Sequence, residues 1–249
     1  MSRLQLSCLP SIQAAVDGRP VTAFRTVTER ALLAYLAVEG ERPHARTTLA
    51  GLLWPDSPEH VAKRNLNQTL LNLRLALGDR DAEIPFLLVT RGTLQLNPAA
   101  DASVDVVEIV GRLAAVEAHP HPDLSDCPEC LERLRTAVRA YRGPFLGEFS
   151  GPGSDLFDEW AALEREWLQR RVEIALDSLS DAELRRGDLI RRRVRSTLDS
   201  ARPAARGARP MTILAAEEIA LRRSRRVKRR RILMAELGSE PSRETTTLL

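Results

Sequence analysis

Long hydrophobic runs are missing from this 249-residue chain, and none of its segments approaches the roughly 18 apolar residues that a membrane-spanning helix needs. The first residues, "MSRLQLSCLPSIQ", contain one basic residue and too short an apolar stretch for a secretory signal. Three cysteines, an odd number in a chain of this length, do not make a disulfide framework. We therefore expect a cytoplasmic globular protein with no membrane partner.

The sequence also lacks the short motifs of common enzymes. It contains no G-x-x-x-x-G-K-[ST] phosphate loop, no H-E-x-x-H and no G-x-S-x-G. The carboxylates of "DEWAALERE", residues 158–166, are typical of a solvated, ion-paired helix face. These absences predict a protein that is not an enzyme and needs no cofactor.

Positive charge is distributed very unevenly. The chain has a net charge of +3, but residues 1–98 have +2, residues 99–188 have −9, residues 189–231 have +12 and residues 232–249 have −2. The basic character therefore belongs almost entirely to one Arg-rich segment of the chain, and net charge alone is no argument for nucleic-acid binding by the rest.

In the N-terminal third of the chain, the sequence pattern predicts strands followed by helices. Residues 1–24 alternate and turn like short strands. A helix follows in "TVTERALLAYLAVEG", with Thr28 as its expected cap, and then a shorter helix in "TTLAGLLW". The third helix is opened by Ser57 with Pro58 at its first position and is closed by Gly78. A hairpin is expected in "FLLVTRGTLQLNP", and this order is that of a winged helix-turn-helix.

The third helix has two distinct faces at 100° per residue. The face predicted to be buried consists of Ala62, Leu66, Thr69, Leu70, Leu73 and Leu77. The opposite face presents Arg64 and Gln68, with Asn67 and Lys63 on a flank, and these side chains suit base edges in the DNA major groove. The alternative is a solvated face on an ordinary amphipathic helix.

The remainder up to residue 188 is predicted to be helical. Residues 102–116 have the pattern of an amphipathic helix, and helical periodicity dominates from Leu131 onward. Trp160, Leu163 and Trp167, with Ala175 and Leu179 further on, suit antiparallel helix pairs of the tetratricopeptide type, although no 34-residue repeat is evident.

Several of these segments together resemble a known family. "LLWPD", "YRGPFL", "EW" followed by "ERE", and "ELGSEP" occur in the order and approximate spacing of the SARP-type transcriptional activators. The resemblance extends over residues 1–188 and again over about 231–249. It implies a mainly α fold, in which an OmpR-type winged helix-turn-helix of three helices with β-hairpins precedes an all-α, tetratricopeptide-like bacterial transcriptional activator domain.

The resemblance implies a sequence-specific DNA-binding activator that binds promoter repeats and helps to recruit RNA polymerase holoenzyme, with the helical half supporting a homodimer. The recognition helix would be Ser57–Leu77. The alternative is a helical protein-interaction scaffold, or the degenerate front end of a larger ATPase-containing regulator, with weak or no DNA reading. Base-reading candidates are Arg64, Asn67 and Gln68, and phosphate-contact candidates are Arg46, Thr47, Lys63, Arg74, Thr90 and Arg91.

The recognition helix departs from the family pattern at several positions. Asn67, Asn72 and Leu75 stand where arginine is common in the family, and Thr28 stands where lysine is usual. Each missing cation removes one potential contact to phosphate or guanine, so we expect weaker DNA binding than a typical member shows.

These observations predict a DNA-binding domain over 1–98, a helical activator domain over 99–188, an atypical Arg-rich segment over 189–231 and a C-terminal remnant of the helical domain over 232–249. The Arg-rich segment has three interpretations: a nucleic-acid-binding arm, a disordered linker, or out-of-frame translation of a GC-rich gene. We favour the third, because family-like sequence flanks the segment on both sides.

Two cysteines and two histidines occur close together in the chain. Cys127 and Cys130 form a C-x-x-C that follows His119 and His121, and four such side chains would in principle satisfy zinc. The stretch resembles a non-metal region of the family, so the expectation is a structural role and no metal. Cys8 is expected to be a small core residue.

Overall fold

A computed structural model describes residues 2–80 and 82–200, with side chains up to residue 187. Internal contacts divide the chain into two compact units, each made of two separate segments. The first unit is Met1–Gly111 with Arg142–Arg170, and the second is Arg112–Tyr141 with the chain from Arg171 onward. This division differs from the sequence-based domains 1–98 and 99–188, which stay a prediction.

The first unit begins with a sheet that joins distant parts of the chain. Strands β1 (Arg3–Ser7), β2 (Gln13–Val16) and β3 (Arg19–Pro20) form an antiparallel meander, while β7 (Asp101–Val104) pairs in parallel with the other edge of β1. Alternate β1 residues, Leu4 and Leu6, are buried. The sheet order is therefore β3-β2-β1-β7.

Three helices and a second sheet fill the middle of this unit. The helices are α1 (Val27–Val38), α2 (Arg46–Leu53) and α3 (Glu59–Ala76). Strands β4 (His44–Ala45), β5 (Leu87–Val89) and β6 (Thr93–Leu96) form an antiparallel sheet in the order β4-β6-β5. The predicted third helix and the predicted hairpin are both present.

Three local predictions are wrong in detail. Thr26, not Thr28, caps α1, since its hydroxyl accepts a hydrogen bond from the Glu29 N–H at 3.3 Å. Helix α3 begins one residue later than predicted, because Pro58 is its cap rather than its first helical residue. The helix predicted over 102–116 begins only at Asp105, and the residues before it form β7.

Asp105 explains that last boundary. Its carboxylate accepts hydrogen bonds from the N–H groups of Val106 and Cys8, at 2.8 and 2.9 Å, and from the Ser7 hydroxyl at 2.7 Å. The side chain therefore ties the start of α4 (Asp105–Ala118) to the end of β1, next to which β7 is extended. Cys8 is fully buried, as predicted, and burial together with the Asp105 charge raises the pKa of its thiol.

The first unit closes with the start of a 46-residue helix, α6 (Asp155–Ser200). Trp160 on this helix packs against Tyr35 of α1 at a ring-centroid distance of 4.9 Å, and against Phe145 and Phe157 at 5.7 and 5.2 Å. Its indole N–H donates to the Glu39 carboxylate at 3.2 Å. This cluster attaches the helix to the end of α1.

The regular secondary structure in the described part of the second unit is all helical. It contains the end of α4, a short 3₁₀ turn over Leu124–Asp126, α5 (Pro128–Ala140) and the continuation of α6. Arg135 of α5 pairs with Glu183 of α6, and Arg171 of α6 pairs with Glu117 of α4 at 2.7 Å. Apolar residues of the three helices, including Leu113, Leu131, Leu134, Leu176 and Leu179, form its core.

The protein is thus mainly α-helical with a few short strands. Within the described ranges, no helix is both long and apolar enough to cross a bilayer. Residues from 201 onward lie outside the described part of the chain, and over 188–200 only the backbone is described. The predictions for the C-terminal remnant, and for the Arg-rich segment beyond residue 200, therefore lie outside the described residues.

Candidate nucleic-acid interface

The two faces of α3 lie as the sequence predicts. All six residues assigned to the core are 7% exposed or less, and Arg64, Asn67 and Gln68 are exposed on the other side with Lys63. Leu71 is 41% exposed and extends the same surface with an apolar side chain. Because the buried face holds α3 in the fold, its polar face is presented in a fixed orientation.

Arg46 joins three elements at one point. It is the first residue of α2, and its guanidinium donates to Asn67 Oδ1 of α3 at 2.5 Å and to the Thr90 carbonyl of the hairpin at 3.1 Å. Its backbone N–H also donates to the Gly92 carbonyl, at 2.9 Å. The start of α2, the middle of α3 and the hairpin turn are therefore parts of one surface.

The hairpin turn is organised by its own side chains. The Thr90 hydroxyl accepts hydrogen bonds from the N–H groups of Gly92 and Thr93, at 3.2 and 2.8 Å, and lies 2.8 Å from the Thr93 hydroxyl. Arg91, at the tip, is exposed. The structure thus gives Thr90 a role within the turn and leaves Arg91 projecting from it.

Some predicted contact residues have partners inside the protein. Lys63 pairs with Glu59 one turn earlier at 2.5 Å, and this hydrogen bond and charge lower the pKa of the Glu59 carboxyl. Gln68 donates to Asn72 at 3.0 Å. The side chains of Thr47, Arg64 and Arg91 have no such partner in the described part of the chain.

Arg74 is engaged differently from the other candidates. Its Nε donates to Oδ2 of Asp79 at 3.0 Å, and Asp79 is buried. Oδ1 of Asp79 accepts from the backbone N–H groups of Phe86 and, at 3.3 Å, of Leu87. The Arg74 guanidinium therefore neutralises a buried carboxylate that joins the end of α3 to β5.

Sequence reasoning missed a second buried carboxylate, that of Glu29. Its two oxygens accept from the Arg25 N–H at 2.8 Å and from the Asn72 side chain at 3.1 Å, and Glu29 is fully buried. The T-x-x-E spacing from Thr26 to Glu29 is a capping-box signal that would have found it. Asn72, one of the departures from the family pattern, thus fastens α3 to the start of α1.

Only one cluster of possible metal ligands is found in the described part of the chain. Ligand atoms of His119, Cys127 and Cys130 lie within 4.8 Å of one another, and all three residues belong to the second unit. None of the predicted DNA-contact residues takes part in it.

Comparison with known proteins finds similarity to a transcriptional regulatory protein in both sequence and structure. No protein-family model matches the chain. The chain is 27% identical over 147 residues to the transcriptional regulatory protein EmbR of Mycobacterium tuberculosis and of Mycobacterium bovis, which covers 59% of this chain and 37% of EmbR. A solved structure of Mycobacterium tuberculosis EmbR, in complex with a low-affinity phosphopeptide, has a TM-score of 0.62 at 21% identity and covers all of this chain and 64% of that one.

The matched region thus spans well under two thirds of the length of the curated relatives. What it shares with them is sequence similarity to a transcriptional regulatory protein, together with the overall fold of EmbR.

Proposed function

We propose that this protein is a sequence-specific DNA-binding transcriptional activator whose first unit contains a winged helix-turn-helix. The observation that carries the proposal is the position of Arg46, which joins α2, α3 and the hairpin into a single surface. Similarity to a transcriptional regulatory protein supports it.

The dimensions of α3 suit the DNA major groove. Its 18 residues make a helix of about 27 Å at 1.5 Å per residue, and the major groove is about 12 Å wide and admits one helix. In this arrangement α3 is the recognition helix, α2 precedes it across the backbone and the hairpin is the wing.

The exposed side chains divide into two roles. Arg64, with no partner in the described residues, suits guanine O6 and N7, while Asn67 and Gln68 suit adenine N6 and N7. Thr47, Lys63 and Arg91 would contact phosphates, with the hydroxyl and backbone of Thr90 shaping the wing. Arg46 and Arg74 are given other roles, because Arg46 links Asn67 of α3 to the hairpin and Arg74 pairs with a buried carboxylate. We therefore assign positioning to Arg46 and stability to Arg74.

Selection from a randomised duplex library tests the proposal. The full chain is expected to enrich one sequence, and its affinity for that duplex is then measured by fluorescence anisotropy with competitor DNA present. Arg64→Ala should weaken binding by about 1–3 kcal/mol, roughly 5- to 150-fold, and relax selectivity at one base pair. Arg142→Ala removes the same charge from an exposed residue outside α2, α3 and the hairpin, and serves as the matched control.

Salt dependence separates phosphate contacts from base contacts. Arg91→Ala should weaken binding to all sequences alike and reduce the slope of log affinity against log salt by about one. If the library yields no enriched sequence, or if Arg64→Ala and Arg142→Ala bind equally, the DNA-reading proposal is wrong, and the scaffold alternative takes its place.

The second unit completes the proposal as the part that contacts proteins. Its helices suit a tetratricopeptide-like activator domain that supports a homodimer and helps to recruit RNA polymerase holoenzyme to promoter repeats. Transcription in a purified system with the selected duplex placed upstream of a promoter should rise on addition of the full chain. Unchanged transcript levels at saturating DNA occupancy would contradict activation without contradicting DNA binding.

A further inference from the structure

The four residues His119, His121, Cys127 and Cys130 lie at the junction between α4 and α5. His119 directly follows the last residue of α4, and Cys127 is the N-cap of α5. Cys130 follows in the first turn of α5, and residues three apart on a helix lie on the same side. The two ends of a 12-residue stretch, 119–130, therefore meet, with a 3₁₀ turn between them.

Three nitrogen–sulfur distances in this group are close to those between zinc ligands. Nδ1 of His119 lies 3.2 Å from Sγ of Cys130 and 3.7 Å from Sγ of Cys127. Nδ1 of His121 lies 3.8 Å from Sγ of Cys130. Zinc–sulfur and zinc–nitrogen bonds of about 2.3 and 2.05 Å at a tetrahedral angle place sulfur and nitrogen ligands about 3.6 Å apart. The three distances differ from that ligand–ligand separation by about 0.4 Å or less.

The chemistry of the ligands points to zinc in particular. Two thiolates with two imidazoles favour zinc over magnesium or calcium, which prefer oxygen ligands. His119, Cys127 and Cys130 supply three ligands, and His121 beside Cys130 is the candidate for the fourth. With four protein ligands no position stays open, and closed sites of this kind are structural rather than catalytic. Cys130 is fully buried, while the other three side chains are half-buried, so an ion has access from one side.

We propose that His119, His121, Cys127 and Cys130 form a structural zinc site that fastens the α4–α5 connection. The family resemblance favours a structural role without metal. The clustering of His119, Cys127 and Cys130, with His121 beside Cys130, argues against that expectation. The proposal does not depend on DNA binding, because the site lies in the other unit and its residues include none of the proposed contacts.

Metal analysis and cobalt spectroscopy of the full chain test the site. Protein purified under reducing conditions should contain one zinc per chain. Replacement by Co²⁺ should give the intense visible bands of tetrahedral cobalt together with thiolate-to-cobalt charge transfer. These spectra report the ligand set of the unsubstituted protein, so they remain decisive even when a variant fails to fold.

Variants then assign the ligands. Cys127→Ser and His121→Gln should each lower zinc affinity, measured by competition with a chromophoric chelator, by more than the ten- to hundredfold typical for loss of an outer-shell partner. Cys8→Ala and His60→Gln remove a thiol and an imidazole elsewhere in the chain and should leave the affinity unchanged.

Three results would overturn the proposal. They are less than about a tenth of a zinc per chain after incubation with equimolar Zn²⁺, a weak octahedral cobalt spectrum, and a Cys127–Cys130 disulfide that persists under reducing conditions.

Discussion

Substitution of Asp79 measures most directly how strongly the end of α3 is joined to β5. In Asp79→Ala, the buried N–H groups of Phe86 and Leu87 lose their acceptor, and Arg74 loses its ion-pair partner. A buried donor left without a partner costs about 1–3 kcal/mol, so two such donors predict a loss of about 2–6 kcal/mol. Only a variant at this position removes all three interactions at once.

Amide hydrogen exchange measures this loss of stability at the affected residues. Opening at Phe86 and Leu87 should become about 30- to 20,000-fold more frequent, since each 1.4 kcal/mol corresponds to a factor of ten. Asp56→Ala removes an exposed carboxylate and should stay within about 0.5 kcal/mol of the unsubstituted protein. A loss below about 1 kcal/mol in Asp79→Ala would refute the reasoning.

Arg74→Ala separates the two roles considered for that arginine. If its guanidinium acts on Asp79, its removal lowers protection at Phe86 and Leu87, and adds little in an Asp79→Ala background because the two side chains interact. If Arg74→Ala leaves protection unchanged but reduces the salt dependence of DNA binding, the phosphate contact predicted from the sequence is correct and our assignment is wrong.

Two further outcomes follow from contacts in the first unit. Arg46→Ala should weaken DNA binding with little loss of stability, because it removes the link between Asn67 and the hairpin. Arg46→Lys lacks the planar guanidinium and should restore binding only in part. Full binding by both variants would contradict a positioning role. Burial and the Glu39 charge raise the pKa of Glu164, so the folded state binds the Glu164 proton more tightly than the unfolded state does. The free energy of unfolding therefore falls as pH rises from the ordinary carboxyl range through the raised pKa. Glu164→Gln should therefore be more stable than the unsubstituted protein at neutral pH, with a smaller fall between acid and neutral pH in denaturant titrations; an identical pH profile would contradict this.

The sequence predicted best where one helix face decides the structure. The buried side of α3 follows from a period of 3.6 residues, and six correctly placed residues fix the exposed side, including Arg64 and Gln68. The hairpin was equally predictable, because alternating apolar residues flank the Arg91–Gly92 turn.

The errors arise where distant residues decide the structure. Residues 101–104 form a strand only because β1, almost 100 residues earlier, offers an edge, and four residues are too few to show a period. The hydrogen bond of Asn72 to the buried carboxylate of Glu29 joins residues 43 apart, and the ion pair of Arg74 depends on the burial of Asp79; neither can be read from sequence position. The meeting of His119 with Cys130 likewise depends on the path of the loop, which spacing alone does not reveal.

The parallel pairing of β1 with β7 has a consequence for how the protein is made. Leu4 pairs with Ala102, so at a synthesis rate of about 5–20 residues per second the edge of β1 waits about 5–20 seconds for its partner strand. An unpaired strand edge is a template for association with other chains during that interval. Any fragment that ends at residue 98 would keep that edge permanently, so a fragment designed to retain this sheet needs at least the residues through β7.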